Sequence, residues 1–77
     1  RRQPGKLETL NTDYGRMLLT AKRPLDAEPV LEQAVKDAPA FANAWSNLAI
    51  ARLQNGDTEG ACLAADKADK LRQQAGL

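Results

Sequence analysis

Apolar residues recur along this chain at steps of three and four in four separate stretches, the spacing that lines one face of an α-helix. The first stretch holds Leu7, Leu10, Tyr14, Met17, Leu18 and Ala21. Lys22-Arg23-Pro24 closes it, because the residue before a proline is pushed out of the helical region. The second carries Ala27, Val30, Leu31, Ala34 and Val35, with Pro29 near its start and Asp37-Ala38-Pro39 at its end. Within it, Glu32 and Lys36 are spaced to pair along the helix surface. The third runs through Phe41, Ala44, Trp45, Leu48, Ala49 and Leu53. Asn55-Gly56 then offers a glycine for a left-handed helix end, and Asp57 is a good N-cap for the next helix. The fourth carries Ala61, Cys62, Ala65, Ala68 and Leu71. Asp66, Lys67, Asp69, Lys70, Arg72 and Gln73 make its other face, which reads as a solvated outer surface.

The breaks between stretches are a few residues each, so consecutive helices are expected to lie antiparallel. The expected fold is all-α: four helices in two stacked antiparallel hairpins. Abundant alanine and leucine and few β-branched residues agree with helix over strand. At 77 residues there is room for one domain. We place it at residues 7–74, between a disordered basic N-terminus at 1–6 and a frayed C-terminus at 75–77. The first residue is not methionine, which fits a domain cut from a longer protein.

Composition removes several functions. With 11 Lys+Arg against 10 Asp+Glu, the net charge of +1 gives no field to gather nucleic acid or an anionic membrane. No apolar run approaches the roughly 20 residues that span a bilayer. No signal-peptide core is present either, so the expected piece is soluble, in a compartment the sequence does not specify. With one cysteine and no histidine, neither an internal disulfide nor a zinc site can be assembled. No paired carboxylates or phosphate-cradling glycine loop suggest catalysis, so we expect no enzyme activity, no metal and no cofactor. Cys62 reads as a buried structural cysteine, and Tyr14, Phe41 and Trp45 as core packing.

An offset of 34 residues pairs Leu19 with Leu53, Ala27 with Ala61, Ala34 with Ala68 and Lys36 with Lys70. It also places Gly15 on Ala49, a small residue where two helices must approach closely. The second copy reads Asn43-Ala-Trp-Ser-Asn-Leu-Ala49, then Asn55-Gly-Asp57, then Ala61 and Ala68. The first reads Tyr14-Gly15, Leu18, Ala27, Leu31, Ala34 and Pro39. This period and pattern resemble the tetratricopeptide repeat, with repeat one at 7–40 and repeat two at 41–74. The sequence departs from the family pattern in places. Asn11 stands at the opening aromatic of the first copy and Lys22 at its turn glycine. In the second, Arg52 replaces a tyrosine, Ala65 a large residue and Gln73 the closing proline.

The resemblance implies a right-handed solenoid fragment whose first helices line a concave groove for a peptide or partner segment. It places Thr9, Thr12, Arg16, Leu19 and Thr20 in that groove, together with Asn43, Ser46, Asn47, Ile50, Leu53 and Gln54. The lysines by which one subgroup of the family grips acidic chaperone tails are missing, so that specificity is not carried over. The expected function is a non-catalytic protein-interaction module with a protein or peptide partner and no nucleic acid. Two hairpins also leave an apolar end uncovered, so homo-oligomerisation through the repeat ends is the alternative.

Overall fold

The computed structural model describes residues 4–75, with side chains from residue 10 onward. Residues 1–3 and 76–77, which hold part of each expected terminal segment, lie outside the described residues. The chain forms four α-helices: α1 (Pro4–Thr20), α2 (Pro24–Asp37), α3 (Ala42–Gln54) and α4 (Thr58–Ala75). No strand occurs among the described residues. Helix α1 is already formed at Pro4, before its apolar periodicity starts at Leu7, and α4 runs on through Ala75.

Local chemistry accounts for the breaks. At the end of α1, Lys22 adopts φ 63°, Lys22 N–H donates to Leu19 C=O at 3.0 Å and Arg23 N–H to Leu18 C=O at 2.8 Å. At the end of α3, Gly56 adopts φ 89° and the same pair recurs, Gly56 N–H to Leu53 C=O at 3.1 Å and Asp57 N–H to Arg52 C=O at 2.8 Å. Both helices thus close with a left-handed residue whose own N–H, with that of the residue after it, satisfies orphan carbonyls. Asp57 then accepts from Gly60 N–H at 2.9 Å through Oδ1, the expected N-cap of α4. Pro24 opens α2 at a position that needs no N–H. The helix therefore begins earlier than its apolar pattern, and Pro29 lies inside it rather than in its first turn.

Helix α1 packs on α2 and α3, α2 on α3, and α3 on α4; among the described residues α1 and α4 do not pack together. The molecule measures 36 × 28 × 17 Å, so its shortest dimension holds little interior. Leu31 and Leu48 are its large fully buried side chains, and alanines (Ala27, Ala34, Ala44, Ala51, Ala64) fill most of the remaining core. Small side chains let the helices close in, but each buries little apolar surface. Partly buried Leu18, Leu19, Phe41 and Trp45 pack against this core, and Trp45 Nε1–H donates to Pro39 C=O at 2.8 Å.

Two expectations about inward faces and one about a surface pair need correction. Leu10, Tyr14 and Met17 are 63, 53 and 67% exposed. The side of α1 that packs inward instead carries Thr12, Gly15, Leu18 and Leu19, so Tyr14 is not core. On α4 the buried stripe is Ala61, Ala64 and Ala68, while Cys62 and Ala65 are exposed. Helix α4 has α3 as its one helical neighbour, and a single neighbour covers one narrow stripe. Finally, Glu32 pairs with Arg52 rather than with Lys36.

Candidate functional site

Helix α1, helix α3 and the end of α4 enclose a cleft of about 540 Å³ lined by Thr12, Asp13, Arg16, Leu19, Thr20, Phe41, Asn43, Ser46, Asn47, Ile50 and Arg72. The steps of three and four between Asn43, Ser46, Asn47 and Ile50 put them on one face of α3, and Thr12, Arg16 and Leu19 share a face of α1 on the same basis. Gly15 lets α1 seat closely on Leu31 of α2, and this packing orients the α1 wall.

Of the groove positions that the resemblance implies, Thr12, Arg16, Leu19, Thr20, Asn43, Ser46, Asn47 and Ile50 come together in this cleft. Leu53 and Gln54 are exposed but lie outside it, continuing the Ile50 face towards the end of α3. The Thr9 side chain lies outside the described residues.

Asp13, Phe41 and Arg72 line the cleft without having been singled out for it. Arg72 differs most from expectation, because its charged stretch reads as solvated surface. Its Nη2–H donates to Ser46 Oγ at 2.7 Å and to Asn43 Oδ1 at 3.4 Å. The signal for it is the buried stripe of α4: Arg72 lies one helical step beyond Ala68, at the edge of the face that packs on α3.

The lining mixes polar amides and hydroxyls with the aliphatic Leu19 and Ile50. Its charged members are Arg16, Arg72 and Asp13. Arg16 makes no ion pair with a described residue. Thr12 is 4% exposed, and its Oγ1 is buried without a hydrogen-bond partner among the described residues. Helix α3 starts beside this lining with Phe41 as its N-cap, a side chain that offers no acceptor to the first N–H groups.

A second polar cluster, behind α3, has a structural role. Arg52 Nε lies 3.7 Å from Glu28 Oε2, and its Nη2 lies 3.5 Å from Glu32 Oε2. Arg52 Nη1–H donates to Gly60 C=O at 3.3 Å. Asn55 Nδ2–H donates to Glu28 Oε1 at 2.7 Å and to Pro24 C=O at 3.0 Å. The cluster ties α3 to α2 and α4. Asn11 likewise ties α1 to the end of α2 by donating to Asp37 Oδ2 at 3.2 Å.

Among the described residues no group of His, Cys, Asp and Glu could hold a metal ion, and no helix is long and apolar enough to cross a membrane. The chain matches no family model, no curated protein and no solved structure at a significant level.

Proposed function

We propose that this chain is a non-catalytic protein-interaction module of the tetratricopeptide type, a right-handed solenoid fragment that holds a peptide or partner segment in the cleft between α1 and α3. The observation that carries this reading is the convergence of Thr12, Arg16, Leu19, Asn43, Ser46, Asn47 and Ile50 on one open cleft. Those residues come from two helices whose sequences and helix ends repeat at the same offset. Amides, hydroxyls and arginines supply hydrogen bonds to a peptide backbone, while Leu19 and Ile50 supply apolar contact.

Peptide selection from a random library on the whole chain tests this. Selected peptides are expected to lose binding to Ile50→Asp, with helicity by circular dichroism unchanged. Peptides that bind Ile50→Asp as well as the parent would reject the cleft as the site.

One observation favours a second reading, a self-assembly element. The α1 residues Leu10, Tyr14 and Met17 form an exposed apolar stripe, and such a surface on a small protein marks a place for association.

A further inference from the structure

We infer that this chain assembles head to tail: the outer face of α1, built on Leu10, Tyr14 and Met17, receives the outer face of α4, built on Cys62 and Ala65, from a second copy. The inference rests on the self-assembly reading and adds which surface of the second copy is received.

The two outer faces are the separated halves of a joint that the chain makes once within itself. The 34-residue offset that carries Lys22, the left-handed end of α1, onto Gly56, the left-handed end of α3, carries α1 onto α3 and α2 onto α4. Under it Leu10, Tyr14 and Met17 fall on Ala44, Leu48 and Ala51, which are fully buried. The exposed Ala65 and Asp69 fall in the same way on Leu31 and Val35, both buried. Helix α3 has helices before and after it in the stack, whereas α1 and α4 stand at its two ends. Within the chain the joint runs between α2 and α3, where Glu28 and Glu32 of α2 reach Arg52 of α3. Their counterparts are Cys62 and Asp66 on α4 and Leu18 on α1. These come together when the α4 of a second copy takes the place that α2 has beside α3.

Side-chain size selects this pairing over two α1 faces meeting each other. Inside the chain, the α2 half of the joint carries the large Leu31 and Val35, and the α3 half carries the small Ala44 and Ala51. Outside, the order is reversed. Helix α1 carries Leu10 and Met17 where α3 has those alanines, and α4 carries Ala65 where α2 has Leu31. Large side chains against small ones interdigitate at interior density, while two α1 faces would set large against large. Asp66 is already paired with Lys70 at 3.2 Å. Asp69 has no ion pair among the described residues and stands where the inner joint has Val35, so its desolvation weakens the contact. A face that binds a different face does not close on itself, so copies add in a row.

Light scattering on the full chain tests the inference. Leu10→Glu with Met17→Glu blocks the α1 face, and Cys62→Lys with Ala65→Lys blocks the α4 face. Each variant alone is expected to be a monomer with unchanged helicity by circular dichroism. An equal mixture of the two should form a one-to-one dimer through the faces left intact. The parent should grow past a dimer as its concentration rises. Asp69→Val, which restores the residue of the inner joint, should assemble at about tenfold lower concentration. A parent whose mass stops at two copies would overturn the head-to-tail joint and leave self-assembly standing. So would a mixture that stays monomeric while the parent assembles, or an Asp69→Val that assembles no more readily than the parent. A parent that stays monomeric throughout would reject the self-assembly reading itself.

Discussion

Gly15 of α1 lies so close to Leu31 of α2 that a methyl group on its α-carbon would overlap Leu31 Cγ and Cδ2. Leu31 is fully buried and cannot swing away into solvent. The Gly15→Ala variant must therefore separate α1 from α2 or force Leu31 off its rotamer. Overpacking of this kind costs about 1–3 kcal/mol, more than the gain from replacing a helical glycine by alanine. Urea denaturation should show that loss. Leu31→Ala is also expected to destabilise, by about 2–5 kcal/mol. The two losses should not add in the double variant, because the shortened side chain makes room for the methyl group.

The two left-handed helix ends give opposite predictions. Lys22 and Gly56 occupy equivalent places, with φ of 63° and 89°, yet only one is a glycine. A side chain in this conformation costs about 1–2 kcal/mol. Lys22→Gly should raise stability by about 0.5–1 kcal/mol, the strain relieved less the added freedom of the unfolded chain. Gly56→Ala should lower it by about 1 kcal/mol, within the same range of left-handed strain. Nothing lies within 4 Å of the added methyl group, so that loss reads backbone conformation alone. Thermal melts of the two variants check both signs.

Much of this architecture is legible in the sequence because its breaks are chemical. Pro24, the Asn55-Gly56 turn and the Asp57 cap each fix a boundary through a missing donor, a permitted dihedral or a supplied acceptor. The inward faces of α2 and α3 are legible too, because helices on two sides bury Ala27, Leu31, Ala34 and Leu48. Faces at the ends of the stack are harder to read. Periodicity marks Leu10, Tyr14 and Met17 as apolar, but burial requires a neighbour, and α1 has neighbours only on its Thr12–Gly15 side. Cys62 and Ala65 fail for the same reason on α4. The cleft residues of α1 and α3 are the ones that the resemblance to the tetratricopeptide repeat implies, carried onto this sequence position by position. Arg72 is not among them, because its position depends on how far α4 runs alongside α3.

The Arg52 cluster carries charge where the repeat pattern places an aromatic. The Arg52 side chain is 21% exposed and faces two carboxylates of one helix. Removing it leaves Glu28 and Glu32 a turn apart with like charges and takes the donor from Gly60 C=O. Arg52→Met should therefore lower stability by on the order of 1–2 kcal/mol, the scale of a partly screened ion pair plus one hydrogen bond. Because the pairs are partly solvated, the difference between parent and variant should narrow in about 1 M salt, where screening acts within about 3 Å. Glu32→Gln should cost less than Arg52→Met, since Glu28 keeps the guanidinium engaged. Denaturant titrations at low and high salt measure both differences.

The exposed stripe of α1 makes its own prediction about assembly. Leu10, Tyr14 and Met17 are separated by steps of four and three, so they share one face of α1, and each leaves more than half of its surface in water. Covering that face with a second copy removes apolar area at roughly 25 cal/mol per Å² before the cost of association is set against it. Light scattering at two well-separated concentrations should show molar mass rising with concentration. Leu10→Glu combined with Met17→Glu should return the chain to a monomer while helicity is kept, since neither side chain supports the core. Ile50→Asp should leave the mass unchanged, because Ile50 lies on the cleft face of a different helix. A parent chain that stays monomeric at both concentrations would reject self-assembly through this face and leave the cleft as the surface on which its function rests.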